Sequence, residues 1–534
     1  MNLLLTLLPI VVILLMLVVF KKSADISGIV GLAVIGIIAM LFFQTSFEVV
    51  VRSTFAGFIK SFSVSLIVAT SLLQMALLEK SGALKRIIIF IKTLASDNKA
   101  VQIMLVNIGF GTLMVAVGAT PVSLLPPILL SMGYSTYVAI ALPAIGYDSL
   151  CTYALLGAPI VVFVDMANAF MKNNGLLAAV GEVTLSQVGQ VFAYFLPLTS
   201  IMIGISMLYI TGKWKGVKKG LLPCLVTGLV IGLIAYITNK FDNLVVLSGV
   251  LCGIGVIAAM IVYLKITGKK IIDKSILTTE ELEYEKKYSL LRAFSPWILL
   301  IVMILIINIP KDLFNQFYRV WLFPITGLSA DGAPIATRFL WNAYTWILIS
   351  TILAAFIMKP TKAQLKDTMR VWVKRAPRPV FSAAIFFAIG EVMNMSGYSM
   401  QSKKFVADSM IKVLADNSAN FFHSAYGAVV SFIGLFGGFI TGSEASTVAM
   451  FAKYTMSTST KLGLNRTSLI IITAGLAFGG GLASVISPAK LQNAAASIDR
   501  LGEENKVIRT AFVFSLIFTV VTAGFIMLLL GIFA

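Results

Sequence analysis

Residues 439–451 read FITGSEASTVAMF, and Glu444 is the only charged side chain between Ser424 and Ala452. A glycine, hydroxyl residues and one carboxylate inside an oily stretch form an unusual chemical set. At the N-terminal tip of a broken helix, backbone N–H groups carry partial positive charge and bind carboxylate oxygens. Glycine permits the turn, and serine or threonine caps the restarting helix. Gly442, Ser443, Ser446 and Thr447 suit such a tip, and Glu444 is an intramembrane acid of the kind that carries protons. A second stretch, Gly118-Ala119-Thr120-Pro121-Val122-Ser123, offers Gly118, Thr120 and Ser123, with Pro121 tolerated in a first helical turn. Asp148 and Ser149 follow a polar break, and Lys490 follows another at Ser487-Pro488. The expectation is two tips facing one cavity. Gly118, Thr120, Ser123, Ser149, Gly442, Ser443, Ser446, Thr447, Ser487 and Lys490 would hold a small carboxylate there, with Glu444 and Asp148 handling protons. Asp148 serves equally as a helix cap, and Lys490 serves as a snorkelling surface lysine. Small-residue helix packing accounts for Gly434, Gly437 and Gly438.

Such tips need helices buried in a bilayer. The 534 residues are 58% hydrophobic and 12% charged, against about 25% charged in soluble domains. Many charge-free runs reach the roughly 20 residues that one span needs. Long apolar runs without two-residue alternation exclude a β-barrel. The predicted fold is therefore an all-α polytopic membrane protein with about 12–14 transmembrane helices. Met1–Phe20 lacks a basic leader and a cleavage site, and reads as a retained first span. Glycine and proline crowd residues 100–171 and 424–498, which predicts re-entrant or broken helices there.

The net charge of +19 comes from short loops beside apolar spans, a membrane-orientation signal and not a nucleic-acid one. Residues 213–219 carry four lysines, and residues 359–378 carry seven basic residues against one acid. Read as cytoplasmic, these loops put both termini outside. The one histidine, His423, and three scattered cysteines supply no metal set, and no Walker glycine-lysine motif occurs. The inventory calls for no cofactor and argues against a metalloenzyme and an ATP-driven pump.

Two oppositely directed spans, near 61–79 and 379–393, introduce similar stretches. Ser81 and Ser396 differ by 315 positions, Gly109 and Gly434 by 325, Gly118 and Gly442 by 324, Pro159 and Pro488 by 329. Four matches in order predict an inverted-topology repeat, a transporter architecture with substrate between the broken helices. The expected organisation is N-terminal spans (1–60), repeat 1 (61–185), connecting spans (186–378), repeat 2 (379–499) and a C-terminal span (500–534).

FITGSEASTVAMF, GGGLASVISPAKLQNAAAS, FGTLMVAVGATPVSLLPPILLSMGY with its later GAPI, and EENKVIRTAFVFSLIFT together resemble the lactate permease family of bacteria and archaea. The likeness runs from about residue 50 to the C-terminus. It implies a carrier of L-lactate or glycolate with protons in a prokaryotic plasma membrane, with homo-oligomerisation open. Three departures fall where substrate would bind. MVAVGATPV has no acid where the family carries Glu-Gly, Thr447 leads to Val448 in place of Ser and Asn, and Ala489-Lys490 replaces Gln-Ser. A sodium- or proton-coupled carrier of another organic anion, and less readily an anion channel, therefore stand beside the lactate reading.

Overall fold

A computed structural model describes residues 2–119, 121–173, 175, 181–500 and 502–533. Charge-free apolar runs become helices because lipid offers the backbone no other partner. The first group is α1 (Asn2–Val18), α2 (Ala24–Phe42), α3 (Phe47–Lys60), α4 (Phe62–Lys80) and α5 (Ala83–Lys92). Next come α6 (Lys99–Ala116), α7 (Pro121–Ser131), α8 (Thr136–Gly146), α9 (Ala154–Asn173), α10 (Leu185–Thr238) and α11 (Ser248–Ile266). The chain continues with α12 (Thr279–Lys287), α13 (Leu290–Asn308), α14 (Ala343–Met358), α15 (Lys362–Arg375) and α16 (Pro377–Met395). The last group is α17 (Met410–Phe422), α18 (Tyr426–Thr441), α19 (Glu444–Lys461), α20 (Arg466–Ala483), α21 (Pro488–Ala496) and α22 (Glu504–Phe533). Two short hairpins, Pro324–Ile325 with Ile335–Ala336 and Tyr398–Ser399 with Lys404–Phe405, are the paired strands among the described residues.

The fold is all-α and polytopic. Against the expected 12–14 spans, 11 helical stretches among the described residues are long and apolar enough to cross a membrane, and three shorter helices are apolar. One stretch, α10, bends at Lys213, whose φ of 51° leaves the helical region, and so forms two arms.

Charge sorts the loops onto two faces. On one, Lys85 meets Glu280, Lys92 meets Glu281, Arg86 meets Glu285 and Arg375 meets Glu79, each within 3.0 Å. On the other, Arg319 pairs with Asp242, Arg338 with Asp165, and Arg52 donates to the Gly327 carbonyl. Helices α5 and α17 are amphipathic: α5 buries Ile87 and Ile91, and α17 buries Ile411 and Leu414.

Most of the glycines that crowd residues 100–171 and 424–498 do not interrupt helices. Gly434, Gly437 and Gly438 lie inside α18, and Gly475, Gly479, Gly480 and Gly481 inside α20. They are there because two backbones touch. A Cβ at Gly438 would stand 2.1 Å from the Gly480 carbonyl oxygen, and one at Gly479 2.1 Å from that of Ser431. In the first region Gly109 and Gly111 lie within α6, which carries a π-helical turn over Met104–Phe110.

Candidate functional site

Four breaks lie between helices, and they bring together residues distant in sequence. The first ends α6. Gly118 takes φ 88° and Ala119 N–H donates back to the Met114 carbonyl, closing a left-handed cap before α7 starts at Pro121. Lys99 on α6 donates to the Met132 carbonyl beyond α7, so the far ends of this helix pair meet. The second break runs through a 3-10 turn, Tyr147–Tyr153, into three left-handed residues, Leu155, Leu156 and Gly157. A small cavity of ≈ 20 Å³ adjoins it, lined by Ser63, Ile67, Leu155, Leu156, Asn308 and Trp341 among others.

The third break is the Gly442-Ser443 tip. Gly442 (φ 68°) ends α18, and Ser443 caps α19, accepting from Ser446 N–H at 3.4 Å. The hydroxyls of Thr441 and Thr447 both donate to the Ser443 carbonyl, at 2.9 and 2.8 Å. Thr447 thus pins the tip from within, while Gly442 and Ser443 remain partly exposed beside fully buried neighbours. The fourth break follows α20. Residues 484–486 form a 3-10 turn, Ser487 takes extended backbone, and α21 begins at Pro488. The tip and this break meet: a Cβ at Gly442 would be 3.2 Å from Ser487 Oγ.

Glu444 opens α19 and is 2% exposed. Thr152, in the 3-10 turn of the second break, donates to its Oε1 at 2.9 Å. Gly481 leaves room for this carboxyl, since a Cβ there would be 2.7 Å from Glu444 Oε2. The three consecutive glycines of α20 therefore serve three neighbours: Ser431 beside Gly479, Thr447 beside Gly480, Glu444 beside Gly481.

Of the residues singled out from sequence, the structure brings Gly442, Ser443, Glu444, Ser446, Thr447 and Ser487 together. Ser149 is buried one turn before Thr152 and donates to the Gly146 carbonyl. Gly118 lies against α4, where a Cβ would meet Ser71 Oγ at 2.3 Å. Lys490 is half-buried in the first turn of α21. Thr120 lies outside the described residues, as do the side chains of Ser123 and Asp148. Asp165 pairs with Arg338 at 2.9 Å. No His, Cys, Asp and Glu group able to hold a metal occurs among the described residues.

Sequence reasoning missed two things. Thr152 is polar in an apolar stretch beside Asp148 and Ser149, which was the available signal. The lysine partners of Glu391, an acid visible late in an apolar span, were the other: Lys60, Glu391 and Lys453 form a buried ionic cluster, with Lys60 Nζ 2.6 Å from Glu391 Oε1 and Lys453 Nζ 3.5 Å from Glu391 Oε2.

The family profile described as L-lactate permease matches residues 2–533. The chain belongs to the L-lactate permease family. Similar family members include the glycolate permease GlcA of Escherichia coli (strain K12), 24% identical over 560 residues, covering 96% of this chain and 93% of the relative. The L-lactate permease of Salmonella typhi is 22% identical over 531 residues, covering 93% and 89%. That of Bacillus subtilis (strain 168) is 22% identical over 525 residues, covering 90% and 88%. The family match and the 11 candidate spans make the protein a multi-pass membrane permease.

Proposed function

We propose that the protein is a secondary carrier that moves L-lactate or a related 2-hydroxy monocarboxylate such as glycolate together with protons, by alternating access. The observation that carries this reading is the meeting of the Gly442-Ser443 tip with Ser487, with the buried Glu444 carboxyl next to it. Hydroxyls and first-turn N–H groups suit a substrate carboxylate, and a buried acid suits the proton. On this reading the substrate groups are Gly442, Ser443, Ser446 and Ser487, with Thr447 holding the tip; Gly118, Ser149 and Lys490 are proposed to contribute from the other breaks, and Thr120 and Ser123 are proposed from sequence alone. Glu444 carries the proton, with Asp148 assisting. The relatives are named permeases for lactate or glycolate, which supports a carrier over an enzyme.

An inverted repeat fits the element lengths. Helices α3 and α15 have 14 residues each, and α4 and α16 have 19 each. Their starts differ by one offset (47 to 362, 62 to 377), as do Ser81 and Ser396: 315 each. Gly82 and Gly397 are both left-handed, as are Gly118 and Gly442, and Gly133 and Gly463. The Tyr398–Phe405 hairpin lies between α16 and α17, where the offset grows. On this reading each repeat starts at its 14-residue helix, ahead of the starts at 61 and 379 expected from sequence, the basic face is cytoplasmic, and both termini are outside a prokaryotic plasma membrane.

The test is uptake of labelled L-lactate by purified protein in liposomes, with and without an inward proton gradient. Saturable uptake that rises with the gradient and is competed by glycolate is expected. Glu444→Gln is expected to keep lactate exchange and lose the response to the gradient. Wild-type gradient response in that variant removes Glu444 as the proton carrier. No lactate uptake by folded protein removes lactate and turns attention to another anion or to sodium, where the acid-free MVAVGATPV stretch already points.

A further inference from the structure

The cluster of Lys60, Glu391 and Lys453 is built from three elements: Lys60 closes α3, Glu391 stands one turn before the end of α16, and Lys453 lies midway along α19. The Lys453 and Glu391 side chains are each 8% exposed and that of Lys60 is 21% exposed. Two ammonium groups thus share one carboxylate. Among the described residues neither lysine has another carboxylate within 4.0 Å. Asp331, exposed in the 326–334 loop, is the next acid within electrostatic reach of Lys453.

The charge count decides the matter. A structural ion pair needs one lysine, and Lys60 at 2.6 Å supplies it. Lys453 stands at 3.5 Å, beyond the length of a good N–H···O bond, so its three donors are poorly used in a buried place. A buried charge left without a counter-charge is strongly unfavourable. The fold provides an instructive contrast. Glu79 likewise lies between two cations, Arg375 at 2.7 Å and Lys80 at 2.9 Å, but all three side chains are a third or more exposed. Water neutralises that excess. It does not reach Lys453 to the same degree.

The surrounding backbone is rigid. A Cβ at Gly57 would stand 2.4 Å from Ala388 Cα, and one at Gly390 would stand 2.9 Å from the Ala449 carbonyl oxygen. α3, α16 and α19 therefore meet at backbone distance next to the three charges, which fixes the spacing of the two ammonium groups before any ligand arrives.

We propose that Lys60, Glu391 and Lys453 form a second anion-binding site, which takes a small monoanion, carboxylate or halide, between the two ammonium groups. Glu391 is the built-in competitor: it leaves the empty site with one excess positive charge, which a monoanion would cancel, and limits how tightly the site holds a ligand. The inference rests on charge count and burial and does not require the transport reading.

The test uses the full chain in zwitterionic nanodiscs. The thermal unfolding midpoint is followed while sodium chloride, or separately sodium L-lactate, replaces sodium MES at constant ionic strength. A saturable rise in midpoint with chloride is expected, because a ligand of the folded state alone stabilises it. Lys453→Met should abolish the chloride response, and Lys453→Arg should restore it. Glu391→Gln removes the competitor and should lower the half-saturating chloride concentration by about tenfold. A rise with both anions supports a site that reads charge alone, and a rise with chloride only supports a halide site. No chloride response in the wild type, or an equal one in Lys453→Met, overturns the proposal. If Lys453→Met does not fold, an unchanged half-saturation in Glu391→Gln overturns it. Uptake plays no part in the readout, so a failed lactate assay bears on the carrier reading alone.

Discussion

Replacing Gly438 by alanine asks how closely α18 must lie on α20. The added Cβ would sit 2.1 Å from the Gly480 carbonyl oxygen and 2.7 Å from Gly480 Cα, where ordinary contact begins at 3.4 Å. The obstructing atoms are backbone, so no rotamer change relieves them. The two helices must part by about 1 Å in an interior packed like a crystal. Overpacking of this kind costs about 1–3 kcal/mol. Gly438 lies one turn before Gly442 and accepts its N–H at 2.8 Å, so the displacement reaches the tip and its approach to Ser487. Misplacement of a binding group by about 1 Å costs about 100-fold in rate. Two controls calibrate the effect. At Gly437 a Cβ meets side-chain atoms of Thr447 and Phe451 at 2.7–3.1 Å, which can yield, and at Gly524 it meets nothing within 4 Å. The expected order of damage is Gly438→Ala, then Gly437→Ala, with Gly524→Ala neutral or stabilising by up to about 1 kcal/mol. Lactate uptake and the unfolding midpoint of the purified variants are the assays. Wild-type uptake and midpoint in Gly438→Ala would refute the claim that this contact sets the tip.

Thr152→Val removes a hydroxyl donor from a buried carboxyl and is expected to destabilise by about 1–3 kcal/mol, while Thr152→Ser restores both midpoint and uptake. Gly118→Ala adds left-handed strain of about 1–2 kcal/mol to the clash with Ser71 Oγ; the Ser71→Ala double variant should recover the clash portion and leave the strain, as a denaturation cycle would read. The surface segment 270–289 should undock in acid. The Lys85 ammonium holds the Glu280 carboxyl below its usual range; Asp273 is held low first by Ser275 within the segment and then by the Ser96 hydroxyl across the docking contact, and the Ser96 part is what undocking removes. Burial would raise the Glu281 carboxyl, but the Thr278 N–H and Lys92 outweigh it and hold it low. The docked segment therefore binds fewer protons than the free one. Docking is complete above about pH 5 and is lost as pH falls through the depressed values, which faster hydrogen exchange in the segment, or its cleavage by the acid-active protease pepsin, would report.

Local chemistry was legible in the chain, and distant partnership was not. Apolar runs marked the spans because a bilayer leaves no other use for them. Gly442-Ser443 and Ser487-Pro488 marked breaks because a left-handed glycine and an N-terminal proline each have a narrow set of uses. The glycines of α18 and α20 carried no label that separates a turn from a close helix contact, since both uses need only a missing Cβ. Leu155 and Leu156 in left-handed backbone had no sequence signal at all, leucine being unsuited to that region. Thr152 meets Glu444 across 292 residues, and Lys60 meets Glu391 across 331. Lys453 stands one residue beyond the uncharged window that frames Glu444. A linear reading stops at the window's edge, while the helix carries on into the cluster.

That continuity makes α19 a lever. Glu444 is its first residue, Lys453 lies further along the same rod, and between them Ala449 and Met450 rest on Gly390 at backbone distance. At 1.5 Å per residue the two side chains stand about 8 Å and about 5 Å to either side of this fulcrum. Any tilt about the Gly390 contact must swing them in opposite directions, so the Glu444 end and the lysine end cannot be repositioned independently.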